Sequence, residues 1–261
     1  MSKEPASDII WITGASSGIG RALALSFAND GRKVAVSARN VDKLRELEAL
    51  SPNIKAFPLD VSDPAAVAPV VADIERTLGT IGLALLNAGV WYPMTASTYD
   101  LAKATAAVHV NYLGVMNTLA PVMAAMIARR RGHIALVSSV AGFRGLPKGA
   151  AYSPTKAAVI SLAESLYSEL KLKGVQITVI NPGFIKTPMT DINTFPMPFI
   201  IEVDDAVRTI RRGLERGKFE IVFPARMAVM MKTLRVLPYR VFFWLTGKVA
   251  VREPPPRTGN G

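Results

Sequence analysis

The sequence predicts an α/β fold: a doubly wound, mostly parallel sheet of Rossmann type in a single domain, with a helical C-terminal extension. Short apolar runs alternate with helical segments from residue 8 to about residue 223, which is typical of parallel strands joined by right-handed crossovers. A glycine-rich turn opens the first crossover. The length of 261 residues is enough to bury the core of one such domain. We expect that domain to cover residues 1–224 and the extension to cover residues 225–261.

The first crossover runs from a strand at residues 8–13 through Thr-Gly-Ala-Ser-Ser-Gly-Ile-Gly into a helix near Ile19. Such a helix points its unpaired N–H groups and the positive end of its dipole at the turn, so a pyrophosphate fits there. Gly14 permits the tight turn, Gly18 lets phosphates approach the backbone, and Gly20 lets the helix pack on the strand. Taken alone, the motif is also compatible with an ordinary strand-to-helix loop.

The second strand, residues 33–38, ends where dinucleotide-binding folds contact the adenosine ribose. An acidic residue there would accept a hydrogen bond from the 2′-hydroxyl. This sequence has Ala38 and Arg39 instead, and a guanidinium binds a 2′-phosphate in a bidentate manner. We therefore predict NADP as the preferred cofactor, with NAD as the alternative if Arg39 is only a solvated surface charge.

The middle of the chain continues the alternation. Helices are predicted at residues 41–50 and about 63–78, strands at 54–59 and 81–86, and a long helix at about 101–129. Residues 104–128 carry no charged side chain and resemble a membrane span in length. The polar residues within this run favour a helix buried in protein.

The fifth strand, residues 132–138, delivers Ser139 at its carboxyl end, where open α/β sheets place their sites. Tyr152 follows, and Lys156 lies one helical turn later on the same helix face. A tyrosine of ordinary pKa, about 10, is a poor base near neutral pH. A nearby ammonium contributes roughly 3 kcal/mol at an effective dielectric constant of about 20, so we expect Lys156 to lower the pKa of Tyr152. Ser139 is expected to orient the substrate oxygen.

The sixth strand, residues 176–181, precedes a proline-rich loop at 188–201 that is expected to act as a lid. Apolar side chains in this loop and in other loops suggest a pocket for a bulky hydrophobic ketone or alcohol, although core packing would explain some of them equally well. They are Trp91, Phe143, Phe184, Met189, Phe195, Met197 and Phe199.

Composition excludes several other functions. The chain has no cysteine and only two histidines, so disulfides, thiolate zinc sites, zinc catalysis and a serine-hydrolase triad are disfavoured, and no metal is expected. The start of the sequence lacks an apolar signal region, which predicts a cytoplasmic protein. Most of the net charge of +11 lies from Arg208 onward, where 12 Lys and Arg accompany 3 Asp and Glu. This end has no nucleic-acid recognition motif, so no nucleic-acid partner is expected.

The C-terminal extension repeats methionine and leucine at helical spacing from Met227 to Leu237, interrupted by basic residues and ended by Pro238. A spanning helix does not tolerate that pattern, whereas an interfacial helix does. Residues 225–250 are therefore expected either to pack as a cover on the domain or a second subunit, which we favour, or to contact an anionic membrane peripherally. Residues 251–261 are expected to be disordered.

Five motifs together identify the sequence as resembling the short-chain dehydrogenase/reductase family. They are Gly-x3-Gly-x-Gly at residues 14–20, Asn87-Ala88-Gly89, Asn111, Ser138-Ser139 followed by Tyr152-x3-Lys156, and Asn181-Pro182-Gly183 with Thr187. They occur in the family's order with similar spacing over about residues 8–190. A glycine pair that family members often carry after the last strand is absent here.

The resemblance implies Asn111, Ser139, Tyr152 and Lys156 as the catalytic residues. Tyr152 would be the acid and base, Lys156 would hold the nicotinamide ribose, and the Asn111 backbone would hold a water molecule. The cofactor-binding residues would be Gly14, Ser16, Ser17, Gly18, Ile19, Gly20, Arg39, Asp60, Val61, Asn87, Ala88, Gly89, Tyr152, Lys156, Pro182, Gly183, Ile185 and Thr187.

The implied activity is interconversion of a ketone and a secondary alcohol with a nicotinamide cofactor, by a homodimer or homotetramer assembled through the long helices after strands four and five. The alternative is a dinucleotide-binding sensor or scaffold without turnover, which the intact catalytic residues disfavour.

Overall fold

A computed structural model describes residues 8–250, which form one seven-stranded parallel sheet covered by helices on both faces. The strands are β1 Ile9–Thr13, β2 Val34–Ser37, β3 Ile54–Ala56, β4 Ile81–Leu86, β5 Gly132–Val137, β6 Val175–Pro182 and β7 Glu220–Phe223. Their order in the sheet is β3-β2-β1-β4-β5-β6-β7. The predicted doubly wound fold is confirmed. The predicted disordered tail, residues 251–261, lies outside the described residues.

The helices alternate with the strands. They are α1 Gly18–Asn29, α2 Val41–Ala49, α3 Pro64–Leu78, α4 Leu101–Val108, α5 Gly114–Ala128, α6 Ser153–Leu172, α7 Pro188–Asp191, α8 Val203–Glu215, α9 Ala225–Val236 and α10 Tyr239–Ala250. A π-helical turn, His109–Leu113, joins α4 to α5, and a short 3-10 turn, Val140–Gly142, follows β5.

The sheet separates two apolar cores, and β1 contributes to both. Ile9 and Trp11 pack on one face with residues of α3, α5 and α6, whereas Ile10 and Ile12 pack on the other face with residues of α1, α2 and α8. Because parallel strands covered on both faces need apolar side chains in both directions, these strands read as nearly continuous apolar runs. Because the strands are parallel, the carboxyl ends of β1, β4, β5 and β6 lie at the same edge of the sheet.

Two elements differ from the prediction. The third strand was expected to reach residue 59 but ends at Ala56, because Pro58 has no N–H to donate to the ladder. The chain still follows β2, since the N–H of Leu59 donates to the Ala38 carbonyl at 3.1 Å. The single helix expected at 101–129 is interrupted by the π-helical turn, where one extra residue is accommodated and Asn111 is buried.

The segment Leu101–Ala128 has the length and composition of a membrane span, with 28 residues and an 18-residue window whose mean hydropathy is 1.4. Core helices of globular proteins can share these properties. One face of the segment packs in the core beside α3, and Asn117 donates from Nδ2 to the Val61 carbonyl at 3.0 Å. The other face leaves Val108, Leu113 and Met116 exposed.

The two C-terminal helices differ in their packing. Met227 and Met231 of α9 are buried in the core, as expected for a cover on the domain. Arg144 fixes the end of α9, because its Nη1 donates to the carbonyls of Leu234, Arg235 and Leu237 at 2.8 to 3.0 Å. Its guanidinium also lies over the rings of Tyr239 and Phe242 in α10.

A buried histidine gives the fold a testable pH dependence. His133 Nε2 lies 2.8 Å from Thr178 Oγ1, whose hydroxyl donates to the Lys218 carbonyl. The threonine oxygen must therefore accept from a neutral imidazole that carries its proton on Nε2. Burial lowers the pKa of His133 to about 4.

Because the folded state disfavours the imidazolium, the contribution of His133 to stability is complete above about pH 6.5 and is lost as the pH falls toward 4. We expect the free energy of unfolding to fall by about 2 to 3 kcal/mol more in the wild type than in His133→Gln between pH 7.5 and pH 4.5. Urea unfolding at both pH values measures this difference, and an identical pH dependence in the two proteins would contradict it.

Candidate active site

The glycine turn after β1 is built for close backbone approach. Gly14 has a φ of 67°, and a Cβ on it would lie 2.7 Å from Ala88 Cα. Gly18 also has a positive φ, 53°, which side chains disfavour. A Cβ on Gly20 would lie 2.6 Å from both Asn87 Nδ2 and the Gly14 carbonyl. These positions therefore require glycine, and the turn leaves the start of α1 open to a ligand.

Asn87 ties the end of β4 to this turn. Its side-chain Nδ2 donates to the carbonyls of Thr13 and Gly14 at 3.0 and 3.1 Å. In return, the Thr13 hydroxyl oxygen accepts from the N–H groups of Asn87 and Ala88. Four hydrogen bonds thus hold the Asn-Ala-Gly segment against the glycine turn and fix the width of the cleft between them.

A cavity of about 300 Å³ opens between these two segments. Twelve of the predicted cofactor-binding residues line it: Gly14, Ser16, Ser17, Gly18, Ile19, Arg39, Asp60, Val61, Asn87, Ala88, Gly89 and Thr187. Gly20, Tyr152, Lys156, Pro182, Gly183 and Ile185 are not among its lining residues. Gly20 instead packs behind the turn, where it allows α1 to approach Asn87.

The cavity has a positive end. Ser17 precedes α1 without a side-chain capping bond, and the first turn of α1 contains no acidic residue, so its N–H groups and dipole favour an anion. Arg39 lines the far end beside Asp60. Although burial raises the pKa of the Asp60 carboxyl, hydrogen bonds from Ser62 and the Arg39 charge outweigh it and keep this pKa below its usual value. The pair places a cation and an ionised carboxylate at the end of β2 and β3.

The predicted catalytic side chains come together beside this cavity. Lys156 is buried in α6 and donates from Nζ to the Val137 carbonyl at 2.9 Å, with Nζ 5.5 Å from the centre of the Tyr152 ring. Ser139 donates to the Pro182 carbonyl at 3.2 Å and accepts from the Ala141 N–H at 3.1 Å. Ser138 instead donates to the Lys156 backbone carbonyl at 2.7 Å, which anchors α6 to the end of β5.

Asn111 joins the catalytic helix to the loop after β4. Its Oδ1 accepts from the Val90 N–H at 2.7 Å, and its Nδ2 donates to the Val90 carbonyl and to the Thr155 hydroxyl. A Cβ on Gly89 would lie 3.3 Å from Asn111 Oδ1 and 3.5 Å from Lys156 Nζ. The absence of a side chain on Gly89 thus leaves room for the amide and the ammonium on the same side of the chain.

The expected effect of Lys156 on Tyr152 is wrong for this structure. Burial raises the pKa of the Tyr152 phenol to about 12, although a hydrogen bond with Ser139 opposes the rise. Burial also lowers the pKa of the Lys156 ammonium to about 8. Desolvation disfavours both charged forms and is the largest cause of both shifts. Tyr152 is therefore a neutral proton donor near pH 7.

Comparison with known proteins decides the family. The family model for short chain dehydrogenases matches residues 8–194. This chain belongs to the short-chain dehydrogenase/reductase family. An uncharacterised oxidoreductase of Myxococcus xanthus is 38% identical over 235 residues, which cover 88% of this chain and 93% of that protein.

Solved structures share the fold of this short-chain dehydrogenase at lower identity. A short chain dehydrogenase/reductase from Burkholderia phymatum in complex with NAD is 22% identical, with a TM-score of 0.80 over 88% of this chain and 94% of the other. An alcohol dehydrogenase from the archaeon Thermococcus sibiricus, complexed with 5-hydroxy-NADP, is 24% identical, with a TM-score of 0.75 over 83% of this chain and 95% of the other.

The segment that was expected to act as a lid, residues 188–201, is called the lid below; the residues that flank and close it, Ile185 and Ile201, form an isolated parallel bridge. Thr187 precedes the segment, and its Cγ2 would lie 3.4 Å from a Cβ on Gly18. This segment was predicted as a loop but contains the short helix α7. The Thr190 hydroxyl oxygen caps the start of α7 by accepting from the Thr187 N–H.

The apolar side chains expected in a substrate pocket divide into two groups. Trp91 packs edge-on against the Tyr152 ring, and Phe184 packs against Phe195 of the lid. Phe143, in contrast, is buried in the main core beneath α9. Core packing thus explains Phe143, whereas Trp91 lies against the catalytic Tyr152.

Some cavity-lining residues of this short-chain dehydrogenase were not predicted. They are Asn40, Leu59, Val90, Val110 and Pro188. Each lies within one residue of a predicted position. Their own side chains carry no chemical signal in the sequence, so adjacency along the chain was the one signal that could have found them.

Proposed function

We propose that this oxidoreductase interconverts a ketone and a secondary alcohol with a nicotinamide dinucleotide. One observation carries the proposal: Tyr152, Lys156 and Ser139 converge beside a cavity that runs from the glycine turn to Arg39. The glycines that a Cβ would clash with and the positive start of α1 fit the pyrophosphate of such a cofactor. Thr187 and the backbone at Ile185 would hold its carboxamide, and Lys156 its ribose.

The chain's own residues supply the proton chemistry. When bound, the nicotinamide supplies hydride to the carbonyl carbon. Ser139, whose hydroxyl donates to the Pro182 carbonyl in this structure, would rotate to donate to the carbonyl oxygen of the substrate and orient it. Tyr152, neutral because burial raises its pKa, donates its proton to the same oxygen as negative charge develops there. The neutral phenol supports the reductive direction, in which one ketone, one hydride and one proton yield one alcohol.

A panel of ketones and alcohols, followed at the nicotinamide absorbance with NADPH, NADH and their oxidised forms, tests this function. Turnover of at least one carbonyl compound is the expected result. Dinucleotide binding without turnover of any compound would instead favour the sensor or scaffold alternative. Long-chain and polycyclic ketones are expected to react faster than small polar ones, because the apolar ring of Trp91 packs against Tyr152.

Cofactor preference is predicted to depend on Arg39. Because charge-assisted hydrogen bonds to a phosphate contribute about 1.5 to 3 kcal/mol, Arg39→Ala is expected to lower kcat/KM with NADPH by about 10- to 100-fold. The value with NADH should change by less than about 3-fold, since the 2′-hydroxyl offers Arg39 no charge partner. Steady-state kinetics with both cofactors measure the ratio. Arg45→Ala, an exposed arginine of α2 outside the cavity, is the matched control, and an NADH-preferring wild type would contradict the prediction.

We further propose a homodimer or homotetramer built through the helices after β4 and β5. The exposed apolar side chains Leu113 and Met116 near the start of α5, together with Tyr167 and Leu172 of α6, support a covered surface there. Light scattering of the purified protein measures the assembly, and a monomer at micromolar concentration would oppose the proposal.

We also propose that the protein is cytoplasmic and that its residues 225–250 contact an anionic membrane surface peripherally. These residues include Arg226, Lys232, Arg235, Arg240 and Lys248 and no acidic residue. On α10, residue Phe243 is 60% exposed and residue Trp244 is 62% exposed. Aromatic rings at the headgroup level and basic side chains facing anionic lipid are the features of an interfacial helix.

The double variant Phe243→Ser/Trp244→Ser is expected to lower binding to phosphatidylglycerol vesicles by at least about 10-fold, since burying one large apolar side chain contributes about 1.5 to 3 kcal/mol. Co-sedimentation measures the affinity, with phosphatidylcholine vesicles as the uncharged comparison. Tyr99→Ser/Leu101→Ser removes an equally exposed apolar pair elsewhere and serves as the control. Equal binding by all three proteins, or a change in oligomeric state instead, would overturn the membrane proposal in favour of a subunit contact.

A further inference from the structure

Trp91 contacts both the Tyr152 ring and the lid, which are distant from each other along the chain. It lies two residues after Gly89, in the loop between β4 and α4. Its ring meets the Tyr152 ring edge-on, with 5.1 Å between the ring centres and 81° between the planes. Its indole Nε1 donates to Asn193 Oδ1 at 2.8 Å, 102 residues away in the lid. Trp91 is not among the residues that line the dinucleotide cavity, so this position needs another explanation.

The acceptor of this hydrogen bond is itself part of the lid's internal structure. The Asn193 N–H donates to the Thr190 carbonyl at 3.0 Å, which continues α7 by one turn. Its side-chain Nδ2 lies 3.3 Å from the sulfur of Met197, on the far side of the lid. Asn193 thus makes hydrogen bonds to lid residues that precede and follow it. A displacement of its side chain would therefore move these lid residues with it.

Trp91 therefore joins the middle of the lid to the ring that carries the reacting hydroxyl. The lid's two ends are fixed by the bridge between Ile185 and Ile201. An indole N–H that is partly buried needs an acceptor, and Asn193 Oδ1 provides one in this arrangement of the lid. The edge-on contact in turn restricts the Tyr152 ring, since aromatic pairs prefer such geometry.

We propose that Trp91 is a positioning residue that couples closure of the lid to the orientation of Tyr152 toward a bulky ketone. This inference rests on the proposed function, and it adds that the substrate is selected by a wall formed of the indole face and the closed lid. A ketone too small to touch that wall leaves the lid unsupported, whereas a bulky apolar one fills the space beside the Trp91–Asn193 bond. Trp91 acts through Tyr152 and Asn193.

Single variants separate the two contacts. Trp91→Phe keeps an aromatic ring beside Tyr152 but removes the N–H, and Asn193→Leu keeps the side-chain size but removes the acceptor. Each is expected to raise KM for a bulky ketone by about 3- to 10-fold, the effect of one hydrogen bond, with kcat and dinucleotide affinity within about 2-fold of wild type. Trp91→Ala also removes the ring contact, so kcat falls as well. Thr194→Ala, the exposed neighbour of Asn193, is the matched control and should behave as wild type.

A double-mutant cycle provides the decisive result. If the bond acts as proposed, Trp91→Phe/Asn193→Leu is no worse than either single variant, because both remove the same interaction. Additive losses, or a rise in KM for small and bulky ketones alike, would overturn the proposal.

A readout without turnover distinguishes failure of this inference from failure of the proposed function. Indole emission should shift to longer wavelength in Asn193→Leu as Trp91 becomes wetter, and the difference should vanish when Asn193→Leu is made in the Trp91→Phe background. A protein that reduces no ketone but shows this shift retains the lid contact and lacks the proposed activity. A protein that reduces ketones but shows no shift lacks the contact.

Discussion

Replacing Tyr152 by Phe is expected to lower kcat for ketone reduction by about 10²- to 10⁴-fold, the range that a positioned general acid contributes. The phenylalanine ring keeps the edge-on contact with Trp91 but cannot donate a proton to the developing alkoxide. Stopped-flow or steady-state measurement at the nicotinamide absorbance gives kcat directly. The dissociation constant of the dinucleotide, measured by fluorescence titration, should change by less than about 3-fold, because the hydroxyl contributes at most one neutral hydrogen bond to the cofactor.

Tyr92→Phe is the matched control for this experiment. Tyr92 is also partly buried and lies next to Trp91 in the same loop, so its variant tests whether any lost phenol hydroxyl near the site lowers the rate. Unaltered kcat in Tyr152→Phe would remove Tyr152 from the chemistry. A fall in kcat together with a large fall in the free energy of unfolding would assign the hydroxyl a structural role instead.

The second large effect is expected at Lys156. Burial lowers the pKa of its ammonium to about 8, so the charged form predominates below pH 8 and is lost as the pH rises through that value. We expect kcat/KM for reduction to be level at low pH and to fall above about pH 8 in the wild type. Lys156→Met removes the charge and the donor altogether, and should lower kcat/KM by about 10²- to 10³-fold at pH 7 with no inflection near pH 8.

Lys156→Arg separates charge from titration. A guanidinium stays protonated throughout the accessible range, so this variant should lose the inflection near pH 8 whatever its absolute rate. Profiles of kcat/KM from pH 6 to pH 10 at saturating cofactor measure the effect. An inflection near pH 8 that persists in Lys156→Arg would belong to another group and would contradict the assignment.

The sheet and the glycine turn were predictable because their signals are local. Buried parallel strands such as β4 are apolar throughout, and Gly14 and Gly20 occupy positions where a Cβ would collide with Ala88 or Asn87. Each of these requirements restricts which residue type can occupy a position, so it is visible in the sequence of this one chain. The Rossmann-type fold and the family were both predicted from those signals. The family model for short chain dehydrogenases matches residues 8–194, which contain them.

The pKa of Tyr152 and the contacts of Trp91 were not predictable, because they depend on side chains distant along the chain. Helical spacing placed the ammonium near the phenol but carried no information on how deeply both are buried, and burial is the largest cause of both pKa shifts. Trp91 and Asn193 are 102 residues apart, and neither has a neighbour in the sequence that indicates the other. The π-helical turn at Asn111 likewise has no local signature.

The contacts of Arg144 have a practical consequence for expression of the protein. Shortened versions that stop before Ala225 would lack Met227 and expose the part of the main core that it covers. They would also lack the three carbonyls that accept hydrogen bonds from Arg144. Arg144 lies in the loop between Ser139 and Tyr152, so its release would loosen the very segment that delivers the phenol. A loss of activity on trimming the chain would thus report damage to the catalytic loop, whereas a fusion tag attached beyond residue 250 leaves these contacts untouched.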